Sequence, residues 1–250
     1  MPDIESYPAA ATVSNDQMTR GLQAWAGTNP DGDFGPLSIE AAWKRAGRPK
    51  WTPPVEEPPH APLAMDAASK ELDELWRSAK LLVSWQSRIA SQADAIAQQR
   101  HRYEPVAAKT GVPWWVIGVI HSMECGLRFD RHLHNGDPLT ARTVQVPRGR
   151  PTTGSAPFTW EESAVDAIRY DGLYRVPAAH WSQPGLVLDQ FERFNGLGYR
   201  KKGVPSPYLW SGTGHYVKGK YVADGRYDPN AVSKQVGVAA LLKVLGVFFD

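Results

Sequence analysis

Glu124 is the residue whose position most clearly indicates chemistry. It lies near the end of a strongly apolar segment, residues 111–126, which has proline near its start and glycine at its end, as helices commonly do. The helix dipole and an apolar setting both disfavour the ionised form of a carboxyl group at this end. We therefore predict a raised pKa for Glu124, which suits a general acid that works near neutral pH.

The segment that ends at Glu124 resembles the catalytic helix of the lysozyme superfamily, which includes the soluble lytic transglycosylases. There, an apolar helix carries Ile or Ala, three further residues and then Glu-Ser-Gly, and the glutamate is the catalytic acid. Glu124 matches that glutamate, and Cys125 stands where those families usually have serine. The resemblance implies that Glu124 protonates the leaving oxygen of a glycosidic bond. The alternative is a glutamate that is merely exposed at a helix end.

The segment after this helix offers a second carboxylate. Residues 132–147 contain turn formers and then alternating β-branched residues, which predicts a loop that enters a β-hairpin. In phage-type lysozymes, which this segment resembles, a hairpin supplies an aspartate and, six residues later, a threonine. Asp137 and Thr143 have that spacing. The resemblance implies that Asp137 acts through water or on the oxocarbenium ion, and that Thr143 positions the water. Asp137 could instead cap a turn, and Asp130 is a rival second carboxylate.

Three histidines near Glu124 raise the question of a metal site. The spacing of His121, His132 and His134 is not that of a zinc motif, and no second cluster of ligands follows. We therefore expect neither a metal nor another cofactor. We group His121 with the substrate-binding residues, and we expect it to act there as a core residue or as a hydrogen-bonding group that supports the site.

Later loops combine amides, hydroxyls and flat rings, which is how proteins recognise sugars. The stretch that begins at Asn195 has the sequence Asn-Gly-Leu-Gly-Tyr, and it resembles the substrate loop of chitinase-like and chitosanase-like members of the superfamily. We expect Asn195, Tyr199, Tyr208 and Trp210 to bind substrate. Each ring alone is more often a core residue, so the prediction depends on their clustering on loops rich in glycine and proline.

The N-terminal part predicts a separate small domain. Residues 31–38 have the sequence Asp-Gly-Asp-Phe-Gly-Pro-Leu-Ser and follow the pair Leu22-Gln23, a pattern that resembles the peptidoglycan-binding repeat. The resemblance implies a small wall-binding domain of the three-helix type at residues 14–48, although a helical appendage to the main domain is the alternative. Residues 49–63 are proline-rich and predict an extended linker, which leaves residues 64–250 for the catalytic domain.

The main domain is predicted to be mainly α, of the α+β lysozyme-like class with a small β-hairpin region. Apolar residues recur at helical spacing between Asp66 and Thr110, and further helices are predicted at residues 113–125, 159–170, 186–194 and 230–249. A second hairpin is predicted at residues 214–222. Asp228 is expected to cap the last helix.

Composition excludes several function classes. The formal net charge is +2, so no overall field directs the protein to nucleic acid. Ten tryptophans suit a core or stacking on a carbohydrate. With one cysteine no intramolecular disulfide can form. We see no secretory signal, and Lys243 interrupts the most apolar stretch, which is too short to span a membrane.

These observations predict a peptidoglycan hydrolase that resembles phage endolysins. It would cleave the β-1,4 bond between N-acetylmuramic acid and N-acetylglucosamine, act as a monomer on glycan strands, and bind neither nucleic acid nor a membrane. It would be made in the host cytoplasm and reach the periplasm and wall after a separate protein permeabilises the membrane. The alternatives are a lytic transglycosylase, a chitinase-like or chitosanase-like glycosidase, and a non-catalytic wall-binding protein of a virion.

Overall fold

A computed structural model of the protein describes residues 64–223 and 225–248. These residues belong to the compact unit Pro62–Asp250. The predicted wall-binding segment, residues 14–48, and the predicted linker, residues 49–63, lie outside the described residues. Both therefore stay predictions.

The described part of the chain is mainly helical, as the sequence predicts. Its α-helices are α1 (Ala67–Ser78), α2 (Gln86–Gln98), α3 (Arg100–Thr110), α4 (Trp114–Cys125), α5 (Trp160–Tyr170), α6 (Pro184–Asn195), α7 (Gly198–Lys202), α8 (Pro207–Trp210) and α9 (Val238–Leu245). Short 3-10 helices lie at Val83–Trp85, Leu173–Arg175 and Ala178–Ser182.

Helix boundaries follow from residues that satisfy the free backbone groups at helix ends. Asp66 accepts a hydrogen bond from the Ser69 amide at 2.8 Å and so begins α1. Thr159 and Glu162 form a reciprocal capping box at the start of α5. Gly126 ends α4 in a left-handed conformation, which glycine adopts without steric cost. The helices predicted at residues 113–125 and 159–170 are confirmed.

Helix α4 lies at the centre of the fold. Its side chains are buried on every face from Val116 to Met123, which is the pattern of a helix surrounded by other elements. Helices α2, α3 and α9 pack against it, and α6 packs on α1. This core positions Glu124, because Glu124 is held in the last turn of the most buried helix.

The described residues contain one two-stranded antiparallel sheet, β1 (Lys220–Ala223) with β2 (Arg226–Asp228). Lys220 pairs with Asp228 and Tyr221 with Tyr227, and an irregularity follows before Ala223 pairs with Arg226. The predicted second hairpin is therefore misplaced. The observed hairpin turns at Gly225, between β1 and β2, and not within residues 214–222.

The prediction of a hairpin at residues 132–147 is wrong. Across this segment the backbone forms only an isolated bridge, between Arg131 and Pro138. The amides of Val144 and Gln145 donate to the carboxylate of Asp137 rather than to a second strand. The Asp137 side chain, rather than the backbone of a partner strand, accepts these hydrogen bonds, so the segment is an irregular loop.

The last helix is shorter than the predicted 230–249. It begins at Val238, after Gly237, whose amide donates to the Ser211 carbonyl at 2.9 Å. Asp228 does not cap it. Its Oδ1 instead accepts from the amides of Asn230 at 2.8 Å and Ala231 at 3.3 Å, so Asp228 stabilises the turn after β2.

Candidate active site

Glu124 is an exposed acid at the end of a buried helix. Its neighbours Met123 and Cys125 are each 8% exposed, whereas Glu124 is exposed to solvent. Gly126 then reverses the chain, with its amide bonded to the His121 carbonyl. Helix α4 therefore presents one carboxyl group at the surface and keeps the rest of its last turn in the core.

Tyr208 supports this carboxyl group. Its hydroxyl donates to Glu124 Oε1 at 3.2 Å, and its ring is only 7% exposed. Burial among protein atoms raises the pKa of Glu124, although its side chain reaches solvent, and the Tyr208 hydrogen bond opposes that rise. Burial and the Glu124 charge also hold the pKa of Tyr208 well above its usual value, so the phenol stays a donor. Glu124 Oε2 takes no part in this hydrogen bond.

A second acid, Asp171, acts on Glu124 through its charge. Asp171 directly follows α5 and is exposed. Its negative charge raises the pKa of Glu124 further. Although the Asp171 side chain reaches solvent, desolvation by the surrounding protein atoms raises its own pKa to about 6, against the lowering effect of Arg150. Sequence analysis missed Asp171, because an aspartate before a glycine at a helix end is typical of an ordinary turn.

The carboxylate of Asp137 accepts hydrogen bonds from residues of its own loop. Its Oδ2 accepts from the amides of Val144 at 2.8 Å and Gln145 at 3.0 Å and from the Asn135 side chain at 3.2 Å. The hydrogen bond from Gln145 is the main reason that its pKa is lowered. These contacts favour the turn-stabilising alternative for Asp137. Its catalytic role stays a prediction.

Thr143 and Asp130 are also held by neighbours. The Thr143 hydroxyl donates to the Pro147 carbonyl at 2.5 Å and accepts from the Arg150 amide at 2.9 Å, and Thr143 is 3% exposed. Such a hydroxyl has no donor left to position a water. Asp130 lies in an exposed ion pair with Arg128 at 2.9 Å, and its hydrogen bonds from Arg128 lower its pKa.

His121 is a core residue and does not reach a substrate. It is 0% exposed, its Nδ1 lies 3.1 Å from the Tyr103 hydroxyl, and the rings of Phe129 and Trp160 pack on it with centroids 4.5 and 4.6 Å away. We predicted that His121 belongs with the substrate-binding residues, and the structure instead places it in the core. Burial lowers its pKa to about 4.

The burial of His121 predicts that the free energy of unfolding decreases in acid. Below pH 6.5 the unfolded chain binds a proton at His121 that the folded protein does not, so the stabilising contribution is complete above pH 6.5 and is lost as pH falls toward 4. Between pH 7 and 5 the loss should be about 2 kcal/mol. Urea unfolding of the native protein and His121→Gln at both pH values measures it. Equal pH dependence in the two proteins would contradict the prediction.

His132 and His134 belong to a buried network rather than a metal site. His132 Nδ1 lies 2.8 Å from Ser163 Oγ, His134 Nε2 lies 2.9 Å from Asp166 Oδ2, and Arg150 donates to Asp166 Oδ1 at 2.8 Å. Ser163 Oγ also lies 3.4 Å from His134 Nδ1, but Ser163 is 0% exposed, so this Ser-His-Asp arrangement presents no nucleophile to solvent. The network fastens the loop after α4 to α5. Within residues 64–223 and 225–248, no group of three or more His, Cys, Asp or Glu could hold a metal ion.

Two predicted substrate residues, Asn195 and Tyr199, meet at an open depression of about 610 Å³. Tyr221 of β1 forms its other wall: its amide donates to the Tyr199 hydroxyl at 3.0 Å, and the two rings meet edge to face with centroids 5.1 Å apart. Gly198 admits this approach, because a Cβ there would lie 3.3 Å from the Tyr221 ring. Glu124 and Tyr208 do not line this depression. Tyr221 was missed, although the alternating aromatic residues of its hairpin were a usable signal.

Trp210 is corrected from a cleft wall to a core residue. It is 2% exposed and packs edge to face on His215 at 5.2 Å. A ring with so little free surface cannot stack on a sugar. Of the four predicted loop residues, the structure thus brings Tyr208 to Glu124, brings Asn195 and Tyr199 together at the depression, and buries Trp210.

Arg200 fixes the segment that carries the depression. From helix α7 it donates to Glu192 Oε2 at 2.8 Å and to Asp189 Oδ1 at 2.8 Å, both on α6. The two acidic side chains are each 7% exposed, and that of Arg200 is 28% exposed. One guanidinium therefore bridges two nearly buried carboxylates, of which Asp189 also pairs with Arg193, and it fixes the helix that carries Tyr199 to α6.

No helix in the part of the chain that the structure describes is both long and apolar enough to cross a membrane. No protein-family model, curated protein or solved structure matches the chain.

Proposed function

We propose that this protein is a glycoside hydrolase that cleaves the glycan strands of peptidoglycan, with Glu124 as the general acid. The observation that carries the proposal is the setting of Glu124: an exposed carboxyl group at the end of a buried helix, bound by the buried hydroxyl of Tyr208. An acid whose pKa is raised by its surroundings keeps a proton to donate near neutral pH. The resemblance of its helix to the lysozyme superfamily supports the same assignment.

The reaction begins with proton transfer from Glu124. Tyr208 holds Oε1, which leaves Oε2 to protonate the glycosidic oxygen as the bond from that oxygen to the anomeric carbon breaks. A carboxyl group fixed by a hydrogen bond loses less freedom on reaching this arrangement. Activity should therefore need the protonated form of Glu124 and should fall as pH rises above its pKa.

The class of substrate is proposed from the loops and from the N-terminal resemblance. The depression offers the exposed amide of Asn195 and the half-buried ring of Tyr221, with the buried Tyr199 behind them, and an amide beside a flat ring suits the hydroxyl groups and apolar faces of sugars. The resemblance of residues 14–48 to a peptidoglycan-binding repeat favours the bond between N-acetylmuramic acid and N-acetylglucosamine. In this proposal the protein is an endolysin-like monomer, made in the host cytoplasm and acting on the wall once the membrane is permeabilised.

Replacing Glu124 with Gln tests the proposal. Loss of the acid should slow the release of soluble fragments from purified peptidoglycan by about 10²- to 10⁴-fold. Glu74→Gln is the matched control, because Glu74 is also exposed but lies on α1, and it should retain full activity. Turbidity loss gives the rate and mass spectrometry gives the products.

The products separate the remaining possibilities. Fragments that end in reducing muramic acid support hydrolysis, whereas anhydro ends would show a transglycosylase. Cleavage of chitin or chitosan but not of peptidoglycan would move the protein to another substrate. If Glu124→Gln clears the wall at the native rate, the active site is placed wrongly. If neither protein clears it, a binding role replaces the enzymatic one.

A further inference from the structure

A cavity of about 340 Å³ is lined by residues from four helices and from the segment that leads into the last of them. Helix α1 contributes Leu72 and Leu75, α6 contributes Glu192, α7 contributes Arg200, and residues 203–206 lead into α8. The volume is near the lower end of the range that is usual for small-molecule sites, roughly 300 to 1,000 Å³. No residue that lines this cavity also lines the depression described above. The cavity is therefore a separate candidate binding site.

Ser206 brings an unused hydroxyl group to the lining of this cavity. It is 2% exposed, and its hydroxyl has no hydrogen-bond partner within residues 64–223 and 225–248. A serine that precedes a helix commonly caps it through this hydroxyl, but Ser206 makes no such bond to α8. A buried hydroxyl without a partner destabilises a fold. Because no hydrogen bond fixes its rotamer, the hydroxyl can turn toward a ligand in the cavity.

A buried ion pair adds an acceptor and a donor to the same lining. Arg200 donates through Nε and Nη2 to Glu192 Oε2 and through Nη2 to Asp189 Oδ1. These bonds leave Glu192 Oε1 and Arg200 Nη1 without a partner in the part of the chain that the structure describes. Neither atom is among the unpartnered polar atoms that are closed to solvent, although Glu192 is only 6% exposed. Both atoms are therefore accessible to a ligand.

The charges and the walls of the cavity favour a neutral ligand with an apolar face. Arg200 offsets the charge of Glu192, so the pair attracts neither a free cation nor a free anion strongly. Glu71, the other acid of the lining, is exposed, where water and salt screen its charge. Leu75 and Val204 are half-buried and form apolar walls. A sugar ring suits this arrangement, because it has hydroxyl groups at its edge and apolar C–H faces.

We propose that this cavity binds one neutral N-acetylated sugar residue, and the choice of a sugar rests on the proposed function. One hydroxyl of the ring donates to Glu192 Oε1 and accepts from Arg200 Nη1, and an apolar face of the ring lies against the leucine and valine walls. The Ser206 hydroxyl pairs with a second polar group of the sugar. Tyr208, which donates to Glu124, follows Ser206 by two residues. The sugar site and the candidate acid therefore contact the same short helix.

NMR titration of the nitrogen-15-labelled full chain with N-acetylglucosamine tests the site. Amide resonances of residues 203–204 report on the cavity, and those of residues 222–223 report on the depression. Ser206→Ala should weaken binding at the cavity by about threefold to tenfold, the effect of one lost hydrogen bond. Thermal unfolding should show this variant to be at least as stable as the native protein, because it removes an unpaired hydroxyl. Ser211→Ala is the matched control: its hydroxyl is also buried and unpartnered, but Ser211 does not line the cavity.

A second variant tests the cavity by filling it. Ala68→Leu adds bulk to a residue of the lining on α1, and it should abolish the shifts at residues 203–204. Ala67→Leu is its control, because Ala67 is the preceding residue and does not line the cavity.

The outcomes separate this site from the function on which the choice of ligand rests. Native affinity in Ser206→Ala, or shifts confined to the depression, would overturn the proposal. Larger shifts at residues 203–204 with glucosamine, which carries an ammonium group, than with N-acetylglucosamine would overturn the neutral ligand. A native protein that cleaves no glycan but shows the expected binding overturns the proposed function and leaves the sugar site standing.

Discussion

Arg200→Met should lower the free energy of unfolding by about 3 kcal/mol, because it leaves the nearly buried Glu192 without its cation and leaves Asp189 with Arg193 alone. Both acids are 7% exposed, so water cannot replace the lost partner. The long methionine side chain preserves most of the packing volume. Urea denaturation followed by circular dichroism measures the change.

Arg193→Met is the matched control for this prediction. Arg193 donates to the same Asp189 at 2.6 Å, but it is 49% exposed and lies one turn along the same helix. Its loss should cost less than about 1 kcal/mol, as for other exposed pairs. Equal losses in the two variants would show that burial of the acids does not decide the effect. Since α7 carries Tyr199, we also expect the proposed sugar binding at the depression to be weaker in Arg200→Met, even under conditions in which the variant is still folded.

Gly185→Ala should destabilise the protein by a similar amount, about 3 kcal/mol, through overpacking. A Cβ at Gly185 would lie 2.2 Å from the Ser69 carbonyl oxygen and 2.8 Å from Asp73 Cβ. The first of these contacts is backbone on α1, so no side-chain rotation relieves it, and α1 and α6 must separate. Calorimetric melting should show a lower Tm.

Gly214→Ala is the control for the glycine prediction. The nearest atom to a Cβ at Gly214 is the Lys80 carbonyl oxygen at 4.0 Å, and the residue is exposed. Its effect should stay within about 0.5 kcal/mol. A small effect of Gly185→Ala as well would mean that α1 and α6 are not held as closely as their contact distance implies.

Local rules predicted the part of the fold that contains Glu124. Proline and glycine bracket α4, and Thr159 caps α5, so these helices could be located from residues a few positions apart. The raised pKa of Glu124 was predicted from the same information, whereas its exposure at the helix end was the alternative that the sequence left open. Its contact with Tyr208, 84 residues away, could be placed only loosely, among residues expected to bind substrate.

The failures arise where distant parts of the chain decide the outcome. Alternating residues around Thr143 predicted a strand, but the Asp137 carboxylate binds the amides that a strand would have paired. The ring of Trp210 was expected on a loop surface, yet it packs in the core. Asp171 has no local signal, because its effect on the pKa of Glu124 joins residues 47 positions apart in the chain. Composition and spacing contain none of these long-range contacts.

The thiol of Cys125 makes the neighbourhood of Glu124 observable without any substrate. It donates to the His132 carbonyl at 3.3 Å, it is 8% exposed, and burial raises its pKa to about 12. We expect a thiol reagent to modify it mainly when the end of α4 and the loop at His132 move apart. Since the chain has one cysteine, the labelling rate reports the population of that locally open state whenever closing is faster than labelling, and it does so beside the candidate acid.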